Sequence, residues 1–286
     1  MLLLTVIIPT HNSQSGIVRC IKSLKSQSFP RNTFEIIVVD DGSEDQTLNF
    51  VRQEGVDQLI VTKPCFQGKA KNIGVGQAMG EFIAFIDSDC EAGEGWIKTI
   101  MTELKQGKAI SGPIENGNSQ SRVAWAEYFL EFAGFDEYRK HSNLSILPGC
   151  NAACTKEDFL RSDGFIETKA SEDVLLSNSL KKNGVELKFL PSMKINHFCR
   201  TEIQLVKSNM EKLGSFFVKT RKLEPSLRYS FLAESKWYIL LIFFGKILSS
   251  WIRATKAKKL SKFLLSFSFI LMGNYSFCKG VLKEIN

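Results

Sequence analysis

The sequence predicts an α/β protein, a mostly parallel sheet flanked by helices and followed by an apolar and basic helical extension. Three observations carry that reading. Short apolar runs alternate with stretches of helical periodicity through the first ninety or so residues. The runs are apolar throughout rather than at every second position, as expected of strands buried on both faces. Two of them end in carboxylates, Asp40-Asp41 and Asp87-Ser88-Asp89.

Taken in order, Leu2-Leu3-Leu4-Thr5-Val6-Ile7-Ile8 reads as the first strand, stopped by Pro9-Thr10-His11-Asn12. A helix follows from about residue 15, with Ile17, Cys20, Ile21 and Leu24 at helical spacing, and Phe29-Pro30-Arg31-Asn32 breaks it. Phe34-Glu35-Ile36-Ile37-Val38-Val39 is the second strand and runs into Asp40-Asp41-Gly42-Ser43. A helix over 45–53, a strand over 58–62, a helix over 68–79 and a strand over 82–86 complete a βαβαβαβ alternation, which calls for a parallel sheet. The middle of the chain is less regular. It suggests a strand at 109–112, a polar loop at 117–121 and an aromatic helix over 123–138 carrying Trp125, Tyr128, Phe129 and Phe132. Short helices at 158–161 and 174–182 and a strand at 185–190 follow.

From residue 237 the composition changes. Residues 237–252 are almost wholly apolar, interrupted by Lys246, residues 253–262 are basic, and residues 263–282 are mostly apolar again, with Asn274 and Lys279 inside them. A bilayer-spanning helix needs about 20 apolar residues. The first segment is short and the second polar for its length, so an interfacial hairpin competes with true spans, and a pair of buried core helices is the third reading. Charge separates the same regions. Residues 200–286 hold 16 Lys and Arg against 5 Asp and Glu, whereas residues 1–199 hold 21 against 25. A basic tail binds nucleic acid or an anionic membrane surface. Here the bases alternate with long apolar runs, which favours lipid and argues against nucleic acid.

Hydrophobic residues make up 44% of the 286-residue chain and charged residues 23%, which excludes disordered and collagenous classes. The seven cysteines are odd in number and contain no Cys-x-x-Cys pair, which points to free thiols in a reducing compartment rather than a disulfide framework or zinc site. Residues 1–8 are too short for a signal-peptide core and Pro9 follows at once, so no signal peptide is expected. The expected location is the cytoplasmic face of a membrane, held peripherally or by a hairpin.

Four separated segments fit one site. Asp40 and Asp41 end one strand, and Asp87 and Asp89 follow another. Parallel strands deliver their C-terminal ends to one sheet edge, where ligands bind in open α/β folds. Gly68-Lys69-Ala70-Lys71-Asn72 opens a helix near that edge, a setting suited to phosphate. Ser171-Glu172-Asp173 comes some eighty residues later. Carboxylate oxygens suit Mg²⁺ and Mn²⁺, and a carboxylate can take the proton of a hydroxyl nucleophile. Taken singly, these segments also read as a turn with a helix cap at 40–43 and as first-turn acids at 172–173.

In this order, the segments resemble the family-2 glycosyltransferases. The likeness runs over about residues 3–200 and is carried by Val6-Ile7-Ile8-Pro9-Thr10-His11-Asn12, Val38-Val39-Asp40-Asp41-Gly42-Ser43, Lys71-Asn72-Ile73-Gly74 with Ala78 and Gly80, and Phe85-Ile86-Asp87-Ser88-Asp89. Further carriers are Pro148-Gly149-Cys150-Asn151-Ala152-Ala153, Gly164-Phe165, Glu172-Asp173 and His197. The resemblance implies a GT-A fold over residues 1–200; composition and charge divide the rest into a basic helical connector, 201–236, and an apolar helical pair, 237–286, expected to associate with a membrane. The resemblance also implies an inverting, metal-assisted transfer of a sugar from a nucleoside-diphosphate sugar to a hydroxyl of a glycan or lipid-linked acceptor, in polysaccharide, glycolipid or cell-envelope glycan synthesis. Pro9, Thr10, Asn12, Asp40, Asp41, Lys71, Asn72, Asp87, Ser88 and Asn151 are the implied nucleotide-sugar contacts. Asp87 and Asp89, with His197, are the implied ligands of Mg²⁺ or Mn²⁺. Asp173 is the implied general base, with Glu172 beside it. Lys71 stands where the family usually has Arg and loses its bidentate fork. Cys90 stands where the family often has a third acid. The aromatic residues 125–132 serve either as core or as an acceptor wall.

Two rival functions are a sugar-phosphate nucleotidylyltransferase and a non-catalytic, membrane-bound nucleotide-sugar-binding protein. The first needs a Gly-rich, Arg-containing loop after its first strand, where this chain has Pro9-Thr10-His11-Asn12. Retention of Asp41, Asp87, Asp89 and Asp173 together argues against the second.

Overall fold

Residues 3–168 and 170–285 are described by a computed structural model. Met1 and Leu2 lie outside the described residues, although the sequence places Leu2 in the first strand. The chain runs β1 (Leu4–Thr10), α1 (Ile17–Lys25), β2 (Phe34–Asp40), α2 (Thr47–Glu54), β3 (Gln58–Val61), α3 (Gln67–Gln77) and β4 (Phe82–Ile86). Next come β5 (Cys90–Ala92), α4 (Trp96–Glu103), β6 (Lys108–Ser111), β7 (Ile114–Asn116) and α5 (Arg122–Glu131). Then follow β8 (Ser142–Asn143), β9 (Asn151–Thr155), α6 (Lys156–Arg161), α7 (Glu172–Lys182), β10 (Glu186–Phe189) and β11 (Ile195–His197). The C-terminal helices are α8 (Ile203–Leu223), α9 (Ile239–Lys256), α10 (Leu260–Leu265) and α11 (Phe267–Glu284).

Two compact units result, residues 1–113 with 139–197 and residues 114–138 with 198–286. The second has most of its length from residue 198 onward. It also takes in the segment 114–138.

In the first unit, eight of the described strands form one sheet in the order β3-β2-β1-β4-β9-β6-β10-β8. The pairs β1–β2, β1–β4, β2–β3 and β6–β10 are parallel, and β9 runs antiparallel between β4 and β6. Every residue of β1 and β2 is buried, which is why both read as unbroken apolar runs. The sequence reading passed over β9. Its Asn-Ala-Ala-Cys-Thr has small side chains and no apolar run, and its place is set by tertiary pairing on both edges rather than by propensity. Register decides what reaches the functional edge. Thr10 lies opposite Asp40, and Ile86 lies opposite Asn151, so the C-terminal ends of β1, β2 and β4 and the N-terminal end of β9 share it.

At the other edge, Thr5 Oγ1 donates to Glu35 Oε1 at 2.6 Å, and Glu35 Oε1 also accepts from the Met79 N–H at 2.7 Å. The Gly80 N–H bonds Thr5 Oγ1 at 3.0 Å. This buried network pins the turn between α3 and β4, and with it the helix that carries Lys71.

The second unit is helical. Its core gathers Trp125, Tyr128 and Phe129 of α5, Val206 and Met210 of α8, Phe263 of α10 and Ile270 and Val281 of α11. Trp125, Tyr128 and Phe129 are therefore core side chains, and the acceptor-wall reading does not hold for them. The predicted helix over 123–138 stops at Glu131, where Phe132 caps it ahead of Ala133 and Gly134. The second apolar run of the tail divides at Ser266, whose hydroxyl donates to the Lys262 carbonyl at 2.7 Å and so turns inward on the preceding helix. Helices α8 and α11 meet backbone to backbone through two glycines. A Cβ on Gly214 would sit 1.9 Å from the Phe277 carbonyl oxygen, and one on Gly280 would sit 1.9 Å from that of Glu211.

Candidate active site

The strand-end loops of β1 and β2 are stitched together by side chain to backbone hydrogen bonds. His11 Nδ1 donates to the Asp41 carbonyl at 2.8 Å, which fixes the tautomer and leaves Nε2 to accept from Asn12 Nδ2 at 3.2 Å. Asn12, with φ +48°, accepts from the Glu44 N–H at Oδ1 (2.9 Å) and gives its own N–H to Ser43 Oγ (2.8 Å). Ser13 Oγ and Ser88 Oγ are 2.7 Å apart and tie this loop to the end of β4. Pro9 is buried in β1, opposite Val39.

Asp40 is fully buried. Its Oδ1 accepts from the Ser43 N–H at 2.8 Å, while its Oδ2 and the neighbouring Thr10 Oγ1 are buried and have no hydrogen-bond partner. Two orphaned polar atoms at one register position leave hydrogen-bonding capacity that a polar ligand can satisfy. Asp41 is committed differently. Its carboxylate accepts from the backbone N–H groups of Cys65 and Phe66, which holds the loop entering α3, with Phe66 at φ +69°.

Lys71 is the electrostatic centre of the site. It is fully buried, and its Nζ donates to the Gly149 carbonyl at 2.9 Å and lies 3.4 Å from Asp87 Oδ1. Burial pulls its pKa down, but Asp87, Glu172 and Asp173 outweigh that and hold it above the ordinary lysine value. The sequence reading placed Lys71 against a phosphate. The structure encloses the ammonium instead, drawn in by three carboxylates. Gly149 bridges the next pair, because its N–H points to Asp173 Oδ2 at 3.4 Å while its carbonyl binds Lys71. A Cβ there would stand 2.9 Å from Lys71 Nζ, so a larger residue would have to displace the ammonium. Asp173 follows Ser171, which holds φ +61°, at the start of α7. Burial first, and then the adjacent Glu172, push the Asp173 carboxyl up to about 6 from 3.8.

Asp87 Oδ1 also accepts from Gln67 Nε2 at 2.6 Å. The sequence reading missed Gln67, although it stands immediately before the Gly68-Lys69 pair that it singled out. Asp89 turns the other way. Its Oδ1 is 3.6 Å from His197 Nε2 and 3.7 Å from Cys90 Sγ. His197 and Cys90 are opposite one another on the antiparallel strands β11 and β5, so their side chains emerge together. A ligand atom from each of Asp89, Cys90 and His197 lies within 4.8 Å of the others, a spacing one cation can bridge. The oxygen and imidazole donors among them fit Mg²⁺, Mn²⁺ or a later transition metal.

Two expected contacts are spent inside the protein. Asn151 is fully buried. Its Oδ1 accepts from Trp96 Nε1 at 2.9 Å, and its Nδ2 donates to the Met193 carbonyl at 2.9 Å. It braces β9 and has no open polar atom for a sugar. Asn72 pairs with the backbone of Phe165 in both directions, at 2.7 and 3.0 Å, which positions the loop whose ring lies 5.2 Å from Lys71 Nζ.

A family model described as Glycosyl transferase family 2 matches residues 5–160, more than half of the chain. The chain belongs to that family. Among curated members, the pre-mycofactocin glycosyltransferase of Mycobacterium tuberculosis is 28% identical over 212 residues, 70% of this chain and 43% of the relative. The poly(ribitol-phosphate) β-N-acetylglucosaminyltransferase TarS of Staphylococcus aureus is 43% identical over 95 residues, 31% of this chain and 16% of the relative. The matched stretch thus spans less than half of the length of these relatives. Among solved structures, the mannosyltransferase PcManGT of Pyrobaculum calidifontis, crystallised with GDP-Man and Mn²⁺, shares the fold at a TM-score of 0.66. That likeness covers 98% of this chain and 86% of that one at 18% identity. TarS 1-349 superposes at 0.59, covering 99% and 91% at 18% identity. The GT-A architecture expected from the sequence is the one observed.

Proposed function

We propose that this protein transfers a glycosyl group from a nucleoside-diphosphate sugar to a hydroxyl acceptor, with inversion at the anomeric carbon and Asp173 as general base. The observation that carries the reading is the linked cluster Asp87–Lys71–Gly149–Asp173 at the functional sheet edge, in which Asp173 is held near pH 6. A carboxylate in that range is ionised at neutral pH yet basic enough to accept a hydroxyl proton. As Asp173 takes the proton, the acceptor oxygen bonds the anomeric carbon. The bond from that carbon to the diphosphate oxygen breaks, and the electron pair leaves with the nucleoside diphosphate. Thr10 and Asp40 offer their open polar atoms to the nucleotide. Asp89 and His197, with Cys90 beside them, are the residues that would hold Mg²⁺ or Mn²⁺, whose contribution when bound would be to neutralise charge on the departing diphosphate, while Asp87 is held by Lys71 and Gln67. Lys71 keeps the carboxylates of the cluster together by offsetting their mutual repulsion.

The relatives and neighbours named above are described with GDP-Man, UDP-GlcNAc or poly(ribitol-phosphate), which supports a nucleotide-sugar donor and a cell-envelope acceptor here.

The work is done at an anionic membrane surface. Leu240, Phe244, Leu248 and Trp251 of α9 recur at helical spacing and are all exposed, and Trp237 before them is 84% exposed. A stripe of this kind has no use in water and suits a helix lying in the lipid interface. Residues 236–256 have the length and mean hydropathy (1.3) of a span. The second apolar run lies instead in the helical core through Phe263, Ile270, Phe277 and Val281. This favours α9 lying in the interface over a two-span hairpin.

The test is Asp173→Asn, which keeps size and removes the proton acceptor. Turnover falls by about 10²-fold or more, as for loss of a general base, with donor affinity nearly unchanged. Turnover close to wild type would move the base to another residue.

A further inference from the structure

In the helical unit, α8, α9 and α11 enclose two adjoining cavities of about 1150 and about 600 Å³. They share Phe243, Tyr275, Lys279 and Lys283, so they form one cleft. We infer that this cleft binds a single anionic membrane phospholipid, one of its two hydrocarbon chains in the smaller chamber, the other left in the bilayer, and its phosphate among the lysines of the larger. The inference extends the membrane-surface reading but does not depend on glycosyl transfer.

Three observations carry it. First, the two ends of the cleft differ in chemistry. The smaller chamber is walled by Ile239, Leu240, Phe243, Phe244 and Leu282, with Lys279 and Lys283 where it meets the larger, and its volume lies within the roughly 300–1,000 Å³ of pockets that hold one organic ligand. The larger is lined by Lys207, Lys212, Lys279 and Lys283 against one carboxylate, Glu211. Glu211 pairs with both Lys279 and Lys283, and those two lysines with Lys207 outnumber it, which leaves an excess of positive charge for an anion without counting Lys212.

Second, the arrangement is written into helix periodicity. Lys207, Glu211 and Ser215 recur every fourth residue on α8, as do Tyr275, Lys279 and Lys283 on α11, and Phe243 and Phe244 follow Ile239 and Leu240 by four on α9. Each helix therefore offers a continuous face to the cleft.

Third, Leu240 and Phe244 wall the cleft and also belong to the exposed stripe of α9, with Phe244 62% exposed. The apolar chamber thus opens onto the surface proposed to face lipid. A soluble anion would leave that chamber empty, and an apolar peptide would leave the lysines unmatched.

Titration of the full-length protein with monomeric dodecyl phosphate tests the inference, with inorganic phosphate and dodecyl maltoside supplying head group and chain separately. Saturable 1:1 binding of dodecyl phosphate is expected, with neither control saturating at the same concentration. Lys279→Ala/Lys283→Ala, at positions whose side chains are 55% and 57% exposed, weakens it at least tenfold, and so does Leu240→Glu. Thermal melts of both variants, expected to keep a cooperative transition, separate loss of binding from loss of fold. Leu248→Glu, on the α9 stripe outside the cleft, reduces flotation with phosphatidylglycerol vesicles and leaves dodecyl phosphate binding intact. Unchanged dodecyl phosphate affinity in both cleft variants, or equal binding of inorganic phosphate, overturns the cleft assignment. Flotation unaffected by Leu248→Glu counts against the membrane-facing stripe alone.

Discussion

Asp173, the proposed base, and Glu172 are adjacent acids whose charges act on one another, and pH tests that coupling. Burial and the Glu172 charge raise the Asp173 carboxyl to about 6, so the base is lost by protonation as pH falls through that value. Turnover should rise between about pH 5 and pH 7, with a midpoint near 6. Glu172→Gln removes the second cause of the shift and should move the midpoint to lower pH in a kcat profile. A midpoint that stays in place would mean that Glu172 does not act on Asp173 through its charge. The sequence revealed these residues because strand-end and helix-start acids stand out against apolar runs. It could not reveal how their neighbours are spent. Asn151 and Asn72 have the residue types and positions of ligand contacts, but their amides are saturated by Trp96, Met193 and Phe165, from elements distant in sequence. Lys71 was expected at a phosphate, and its enclosure follows from three carboxylates that only the fold brings around it.

Among the elements, those with a strong local signal were legible and those made by tertiary pairing were not. β1, β2 and β4 appear as apolar runs because both faces are buried, whereas β9, of similar length, lacks such a run and is a strand because β4 and β6 bond its two edges. The apolar tail shows the same limit. Hydropathy treats residues 237–252 and 263–282 alike, yet α9 exposes its stripe while α11 packs against α8. The decisive feature of that packing is a pair of glycines, Gly214 and Gly280, each facing a carbonyl of the other helix at a distance that leaves no room for a Cβ. Gly280→Ala must push the helices apart and should destabilise the protein by about 1–3 kcal/mol, the usual effect of overpacking. Chemical denaturation provides the measurement. An unchanged midpoint would show that α8 and α11 do not approach so closely.

On the scale of the whole molecule, an α/β unit with 20 Lys and Arg against 20 Asp and Glu holds the candidate chemistry, and a basic helical unit with 17 against 10 holds the proposed lipid-facing surface. Charge and hydropathy made that division visible, but they could not show that residues 114–138 join the second unit, because their aromatic side chains read equally well as core or acceptor wall. Binding to anionic vesicles should weaken as salt rises from about 0.05 to 0.5 M, since the Debye length shortens from over 10 Å to a few ångströms. It should not vanish, because the apolar stripe of α9 is indifferent to salt. Complete release by salt would reduce the stripe to a bystander. The reading of the protein as an enzyme acting on nucleotide sugars rests on the functional sheet edge, and calorimetry of UDP, GDP and dTDP with and without Mn²⁺ tests it most directly. At least one nucleotide should bind saturably to the wild type, more tightly with Mn²⁺, and Asp89→Ala should remove the metal enhancement while the fold persists. Failure of all three to bind, or the same Mn²⁺ enhancement in Asp89→Ala, would contradict it.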